Sequence, residues 1–436
     1  MEKKFRAAIY TLGCRTNQYE SDAISRRLYE AGFEICDFSE AADVYIVNTC
    51  SVTAEADRKS RQLIRRGKAK NPDAVTIVTG CFAQLDPAAS AELGADFVCG
   101  NRNKLDAAEY AVAAMKEKQT ARISVPEIDS MPIEEMSAAQ SGKTRAFLKI
   151  EDGCDNHCAY CIIREARGRV VSRAPDEIFR EAKEMVDAGV KEIVVTGTEI
   201  ASYGRDGGKY TLADAICAVC ESGVRRVRMG SVEPSVLKPE FIDRLRGCKA
   251  FLPSIHLSLQ SGSDAILAAM RRKYNSRQVL SAVRYIREKL PDAEFSADVI
   301  VGFPGESEAD FAETCRVVRE AELYHMHIFP YSDRRGTESA SMKNKVSAAV
   351  KSDRFHRLSA IGDELAANVY GRYVNEARPL DVLFEERDGE YYVGHAQNML
   401  EVKVKSADEL SGRTFYCMPE EYIGGAVICR LGEEKK

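Results

Sequence analysis

The sequence predicts an α/β protein: an N-terminal Rossmann-like parallel sheet, a central partial (βα)6 barrel and a C-terminal small β-barrel. Three observations carry that expectation. Short apolar runs alternate with amphipathic helical stretches through the first 125 residues. The alternation resumes at a longer rhythm from residue 144 to about residue 335. Beyond residue 372 it gives way to short strand-like runs punctuated by Asp388-Gly389 and Ser411-Gly412.

In the first part, the apolar runs 7–12, 44–47 and 75–79 are candidate strands, and 20–31, 55–70 and 104–118 are the helices crossing between them. Residues 120–143 lose the periodicity and carry Pro, Ser and acidic side chains. A linker is therefore expected at 126–143, between a first domain at 1–125 and a second at 144–371. Six candidate strands follow, at 146–150, 192–196, 226–230, 254–259, 295–301 and 325–330. Helical patterns at 175–188, 212–222, 239–247, 276–289 and 308–320 separate them. Six such units suit an incomplete barrel whose working face lies at the strand C-termini. A long helical pattern over 347–370 leads to a third domain, 372–436, with strand-like runs at 380–386, 391–394, 400–404, 414–418 and 425–431.

A chain of 436 residues has room for several domains and a substantial core. Its formal net charge of -5 gives no general pull toward nucleic acid, so any such contact must use local patches. No apolar run approaches the roughly 20 residues that span a bilayer, and the opening MEKKFRAAIY lacks the apolar core of a signal peptide. A cytoplasmic protein with no membrane partner is expected. In a reducing compartment its 14 cysteines point to metal ligation and burial rather than disulfides.

Cys154, Cys158 and Cys161 form a C-x3-C-x2-C loop. Three thiolates so spaced can wrap a cubane iron–sulfur cluster and leave one iron without a protein ligand, the open position that catalysis needs. A zinc knuckle short of its fourth ligand, or three buried cysteines, are the plainer alternatives; His157 is poorly placed beside Cys158 to complete such a site. In the first part each predicted strand is followed at once by a cysteine: Cys14, Cys50 and Cys81. Ligands of open parallel sheets collect beyond the strand C-termini. These thiols can therefore converge as a second three-cysteine cluster, the alternative being three unrelated loop residues. Cys217 and Cys220 lie in an apolar helical run without a companion pair and are expected to pack in the core. The same is expected of Cys36, Cys99, Cys248, Cys315, Cys417 and Cys429.

Thr11-Leu12-Gly13-Cys14, Asn48-Thr49-Cys50, Thr79-Gly80-Cys81, the loop 153–163 with Ala166-Arg167-Gly168-Arg169, and the stretches 256–264, 298–306 and 327–332 resemble the radical-SAM methylthiotransferases. The likeness runs essentially from end to end, and 372–436 resembles a TRAM domain. Within the family, residues 11–14 and 394–398 are most similar to the branch that modifies N6-threonylcarbamoyladenosine next to the tRNA anticodon. The branches acting on isopentenyladenosine or on a ribosomal-protein aspartate fit less well. The resemblance implies a radical-SAM barrel with one [4Fe–4S] cluster on Cys154, Cys158 and Cys161 and a second on Cys14, Cys50 and Cys81. It implies a transferase that uses S-adenosylmethionine both as methyl donor and as radical source, adding a methylthio group to C2 of the adenine. The partners implied are the tRNA anticodon arm, an electron donor and a sulfur source. An aromatic C–H of this kind offers no acidic proton at neutral pH, so a cofactor must carry the hard step. Two departures bear on substrate choice: the family usually has proline where Arg164 and Arg335 stand.

Further residues are expected near the cofactor. Tyr160, in the cysteine loop, is expected against the adenine of S-adenosylmethionine, and Thr196, Gly197 and Glu199, after the second barrel strand, around its methionyl amine. Glu233 and Gln260, at the next two strand ends, suit the ribose or carboxylate, and Gly302 permits close approach to a flat ring. Packing, a solvated loop acid and a turn glycine are the duller readings. The stretch 57–70 carries Arg58, Lys59, Arg61, Arg65, Arg66, Lys68 and Lys70 against one acid. Starting just after Cys50, it is expected to meet anticodon-arm phosphates, a solvated face being the alternative. Arg167, Arg169 and Arg173 can do the same or neutralise cluster charge. The last domain, with nine Lys or Arg against thirteen Asp or Glu in 372–436, offers RNA no net attraction. The competing non-enzymatic reading is a zinc-containing RNA-binding protein.

Overall fold

The apolar runs of the first part build one parallel sheet. In the computed structural model, which describes residues 4–116, 121–139 and 142–435, its strands are β1 (Arg6–Thr11), β2 (Glu34–Cys36), β3 (Val44–Thr49), β4 (Val75–Gly80), β5 (Phe97–Cys99) and β6 (Arg122–Ser124), in the order β2-β1-β3-β4-β5-β6. The crossovers are α1 (Arg15–Glu30), α2 (Ala54–Lys70), α3 (Cys81–Leu85), α4 (Pro87–Glu92) and α5 (Asp106–Lys116). All six residues of β3 are buried, as a central strand covered on both faces requires. Register aligns Ile9 with Ile46 and Ile46 with Ile77. Thr53 caps α2 by accepting from the Ala56 N–H at 3.1 Å, which fixes the helix start just beyond Cys50. Positions 117 and 118 of the expected helix, and 140 and 141 of the expected linker, lie outside the described residues.

The chain continues through β7 (Arg145–Lys149), β8 (Glu151–Asp152), α6 (Ile163–Arg167), β9 (Val171–Ser172), α7 (Pro175–Asp187), β10 (Glu192–Thr196) and α8 (Leu212–Glu221). β8 and β9 pair antiparallel and close the base of the loop that carries Cys154, Cys158 and Cys161. Next come β11 (Arg226–Met229), α9 (Pro239–Arg246), β12 (Ser254–Gln260), α10 (Asp264–Ala269), α11 (Ser276–Lys289), β13 (Glu294–Val301), α12 (Glu308–Glu320), β14 (Leu323–Pro330), α13 (Glu338–Ser341) and α14 (Ala348–Asn375). β12, β13 and β14 are parallel neighbours. Capping boxes at Asn275/Gln278 and Ser307/Asp310 start α11 and α12. The last strands, β15 (Leu380–Asp388), β16 (Tyr391–Ala396), β17 (Glu401–Lys405), β18 (Thr414–Ile423) and β19 (Ala426–Glu434), close into a barrel ordered β15-β16-β17-β19-β18. Its interior holds Leu380, Val382, Phe384, Tyr392, Val402, Val404, Phe415 and Val427.

The chain packs as two compact units. The first is Met1–Gly189, Val195–Ala218 and Ser332–Ala340; the second is Val190–Val194, Val219–Tyr331 and Ser341–Lys436. Within the second, Glu192 is fully buried between Arg226 Nε at 2.9 Å and Arg228 Nε at 2.8 Å. The rest of each guanidinium grips the closed barrel. Arg226 reaches Asp381 Oδ1 at 2.9 Å and the His395 carbonyl at 3.1 Å; Arg228 reaches the carbonyls of Ala396 at 2.7 Å and Gln397 at 3.0 Å. Two buried cations are tolerable there because every one of these hydrogen bonds is charge-assisted.

Candidate functional site

All six cysteines of the two expected sets belong to the first unit. Cys14 stands at the N-cap of α1 and is exposed, Cys50 follows β3 and is buried, and Cys81 opens α3 directly after β4 and is buried. Gly13 has φ +94, and a Cβ built there would lie 2.6 Å from Cys50 Sγ, so only glycine lets the first cysteine loop lie on the second cysteine. Burial, then the neighbouring Cys81, push the Cys50 thiol up to about 12, and Cys14 adds to the effect. Cys50 thus lies between the other two loops at one sheet edge, with Cys81 and Cys14 both close enough to act on it.

In the second set Cys154 and Cys158 are half-buried and Cys161 is exposed. Gly153, at φ +86, leaves no room for a Cβ against the Arg169 carbonyl, and the Cys154 N–H donates to the Gly168 carbonyl at 3.0 Å. The Asn156 and Ile163 amides point at Cys154 Sγ and Cys161 Sγ, each at 3.4 Å. Such N–H groups favour anionic sulfur. Burial pushes the Cys154 thiol up to about 12; a metal replaces that proton on binding. Among the described residues, a trio of candidate metal ligands apart from the cysteines gathers within 4.8 Å: His256, Asp298 and His327. Three thiols on one short loop, with amides aimed at sulfur, are a donor set that suits a cubane cluster with one open iron.

A buried charge network adjoins both sets. Glu20 Oε1 accepts from Lys149 Nζ and Arg167 Nη1, both at 2.9 Å, and its other oxygen takes Lys104 Nζ and, at 3.1 Å, Arg167 Nη2. Asp152 accepts from Arg167 Nη1 at 2.9 Å and Lys149 Nζ at 3.3 Å, with Arg102 Nη1 3.7 Å away. Burial alone would raise the Glu20 carboxyl, yet Arg167, Lys104 and Lys149 hold it well below the usual carboxylate range. Asp152 is depressed in the same way. Four buried cations, Arg102, Lys104, Lys149 and Arg167, face two buried carboxylates, leaving two positive charges in excess. Arg167 also feels Cys81, and Asn101 Nδ2 joins Cys81 Sγ at 3.8 Å to the Ala166 carbonyl at 2.7 Å. Thiolate clusters are anionic, so a surplus of this sign suits them. Glu151 is different: burial, then Asp152, push its carboxyl well up.

The remaining expected site residues divide between the units. Tyr160 lies half-buried in the cysteine loop. The Thr196 carbonyl accepts from the Ile150 N–H at 2.9 Å, and the Gly197 carbonyl from Thr16 Oγ1 at 2.8 Å. The Glu199 N–H donates to Glu151 Oε1 at 2.9 Å, while its own carboxylate accepts from the Ala201 N–H at 3.3 Å. In the second unit Glu233, 1% exposed, pairs with Arg272 at 3.2 Å and accepts from Ser235 Oγ at 2.6 Å. Gln260 ends β12 at φ +63. Gly302 has φ +75, a backbone conformation that favours glycine. The Lys351 side chain occupies the space where its Cβ would be, because the first turn of α14 packs there, and its N–H donates to Glu306 Oε2 at 2.6 Å.

The expected RNA contacts are also sorted by burial. Arg65, Arg66 and Arg169 are exposed. Arg58 and Lys59 are exposed but share Glu55, at 2.6 Å and 3.9 Å, and Arg61 lies over the Phe82 ring at 4.7 Å. Arg167 is 2% exposed and committed to Glu20, Asp152 and Asn17, so it is an internal counter-charge, not a phosphate contact. Arg334 binds Asp57 and Ser51 Oγ, each at 2.8 Å, next to Cys50. Arg164 lies 3.6 Å from Asp155 in the other cysteine loop. Cys99, Cys417 and Cys429 are buried, whereas Cys36, Cys217, Cys220, Cys248 and Cys315 keep partial exposure. Sequence reasoning missed Glu20, Lys104, Lys149, Asp152 and Arg102. The available signal was a carboxylate two residues before the cysteine loop and a glutamate one helical turn beyond Asn17.

A three-cysteine loop heading a parallel βα sheet defines a radical-SAM enzyme, and the Radical SAM superfamily profile matches residues 148–318. Residues 6–100 match the profile described as Uncharacterized protein family UPF0004. The chain is 39% identical over 413 residues to the "Threonylcarbamoyladenosine tRNA methylthiotransferase MtaB" of Bacillus subtilis (strain 168), covering 93% of this chain and 92% of that one. The protein of the same name from Thermotoga maritima is 36% identical, with 89% and 90% covered. A "tRNA-2-methylthio-N(6)-dimethylallyladenosine synthase" of Clostridium botulinum is 35% identical, with 86% and 85% covered. The chain belongs to the radical-SAM methylthiotransferase family. Its fold is similar to that of the radical S-adenosylmethionine methyltransferase TsrM from Kitasatospora setae, at a TM-score of 0.54, 14% identity and coverage of 78% and 77%. No helix among the described residues is long and apolar enough to cross a membrane.

Proposed function

We propose that this enzyme adds a methylthio group to C2 of N6-threonylcarbamoyladenosine next to the anticodon of tRNA. The observation that carries the reading is 39% identity over 93% of the chain to a relative of that name. We infer that Cys154, Cys158 and Cys161 hold one [4Fe–4S] cluster and Cys14, Cys50 and Cys81 the other, with S-adenosylmethionine near Tyr160, Thr196, Gly197 and Glu199. When bound, these groups supply the methyl, sulfur and radical chemistry. The chain's own part is to hold and to insulate. Gly13 and Gly153 set the cysteine loops, the Asn156 and Ile163 amides polarise sulfur, and the Glu20–Asp152–Arg167 network supplies positive charge out of reach of solvent screening. Arg65, Arg66 and Arg169 are the exposed cations offered to RNA phosphate. An electron donor and a sulfur source come from outside the chain, and a tRNA substrate places the work in the cytoplasm. The domains proposed are 1–125, 144–371 and 372–436, joined by 126–143.

The dimethylallyladenosine synthases at 35% identity support a second reading on isopentenyl-type adenosine. One experiment separates the two. Anaerobically reconstituted protein, S-adenosylmethionine and a reductant are incubated with tRNA bearing threonylcarbamoyl, isopentenyl or neither group, and the nucleosides are read by mass spectrometry. A methylthio product on threonylcarbamoyl tRNA alone is expected. Product on isopentenyl tRNA alone overturns the branch, and no methylthio product on any of the three tRNAs overturns the RNA substrate.

A further inference from the structure

Three strands of the second unit set two imidazoles and a carboxylate on one face. In the parallel register of β12, β13 and β14, His256 lies beside Ser296, and Asp298 beside His327. Alternation sends Ile255, Leu257, Phe295, Ala297 and Val299, all 0% exposed, to the opposite face. His256, Asp298 and His327 thus share a face, and their donor atoms all lie within 4.8 Å of one another. His256 Nε2 is 3.2 Å from Asp298 Oδ1, and its Nδ1 is 2.7 Å from Ser296 Oγ.

We propose that His256, Asp298 and His327 form a binding site for a divalent transition metal such as Zn2+, separate from both cysteine sets. Two imidazoles and a carboxylate are the donors of open zinc and related sites, with positions left over for water or an oxygen ligand. The Ser296 hydroxyl supplies the outer contact such a site needs. With Ser296 Oγ 2.7 Å from His256 Nδ1, the hydroxyl can accept from Nδ1–H when a metal claims Nε2. Nitrogen and oxygen donors on rigid strands also differ in softness from the thiolates, which keeps the two kinds of metal apart.

The test uses the full chain with both cluster sites loaded, so that the cysteines are occupied. It is equilibrated with Zn2+, desalted, and assayed by elemental analysis and zinc X-ray absorption. One zinc per chain beyond the iron is expected, with nitrogen and oxygen neighbours at about 2.0–2.1 Å and no sulfur at about 2.3 Å. Asp298→Asn and His327→Ala, checked for unchanged iron content, should each weaken zinc retention about tenfold or more. No retained zinc, sulfur in the zinc shell of the wild-type protein, or full retention by both variants overturns the site. None of these readouts depends on the tRNA substrate.

Discussion

Replacing Glu20 by glutamine tests whether the buried network holds the first unit together. The amide keeps the shape of the side chain and removes its charge, while Lys104, Lys149 and Arg167 stay buried around it. Only Asp152 then remains to face four cations, and the oxygen that accepted from Lys149 and Arg167 is replaced or neutralised. Breaking a buried ion pair by removing one partner costs about 3–5 kcal/mol. Solvent screening does not reduce that figure, because Glu20 is fully buried. At about 2–4 °C per kcal/mol for a unit of this size, Tm should fall by on the order of 10 °C at neutral pH, measured by circular dichroism at matched iron content. The pH dependence adds a second check. Glu20 is held below the ordinary carboxylate range, so its stabilisation is complete above the unfolded value of about 4.3 and is lost as pH falls toward the depressed folded value. The gap between wild type and Glu20→Gln should therefore close on acidification below about pH 4. A gap under about 1 kcal/mol at neutral pH, or one that is the same at pH 7 and pH 3, refutes the reasoning.

Cys50→Ala should remove about four irons per chain and abolish methylthio product while leaving S-adenosylmethionine cleavage intact; iron and nucleoside analyses read both. Gly13→Ala, whose new Cβ meets Cys50 Sγ, should cost about 1–3 kcal/mol in thermal unfolding and lower iron occupancy of the same set without touching the other. Arg65→Glu with Arg66→Glu should weaken tRNA binding and flatten the salt dependence of log Kd by about one for each phosphate no longer neutralised; an unchanged slope assigns α2 to solvent. Arg228→Ala strands Glu192 and the Ala396 and Gln397 carbonyls, so about 2–4 kcal/mol of stability should disappear, and limited proteolysis should cut the terminal barrel free sooner.

The main architecture was legible because its strands are long enough to show period or apolar continuity. β3, β4, β10, β13 and β14 each carry at least five residues, and the cysteines mark where the strands of the first sheet end. β2, β5 and β6 carry three residues each and have no period to read; β6 falls in the aperiodic stretch after residue 120. The cysteines themselves were found because spacing survives in one dimension. The charge network was not, since Glu20, Lys104, Lys149 and Arg167 are far apart in the chain and each looks like an ordinary surface ion until folding removes the water. Arg167 shows the cost of that blindness. A basic residue beside a cluster motif reads equally as an RNA contact or as a counter-charge, and its burial against Glu20 and Asp152 decides for the second.

The clasp that Arg226 and Arg228 make on the terminal barrel ends mostly on peptide oxygens, those of His395, Ala396 and Gln397. Every amino acid presents that same oxygen, so the grip is indifferent to which residues occupy those three places. The outer surface of the barrel is thereby free to diverge in sequence while its mooring stays fixed. A chimaera that carries a foreign barrel, with an acid kept at the position of Asp381, should inherit the attachment intact.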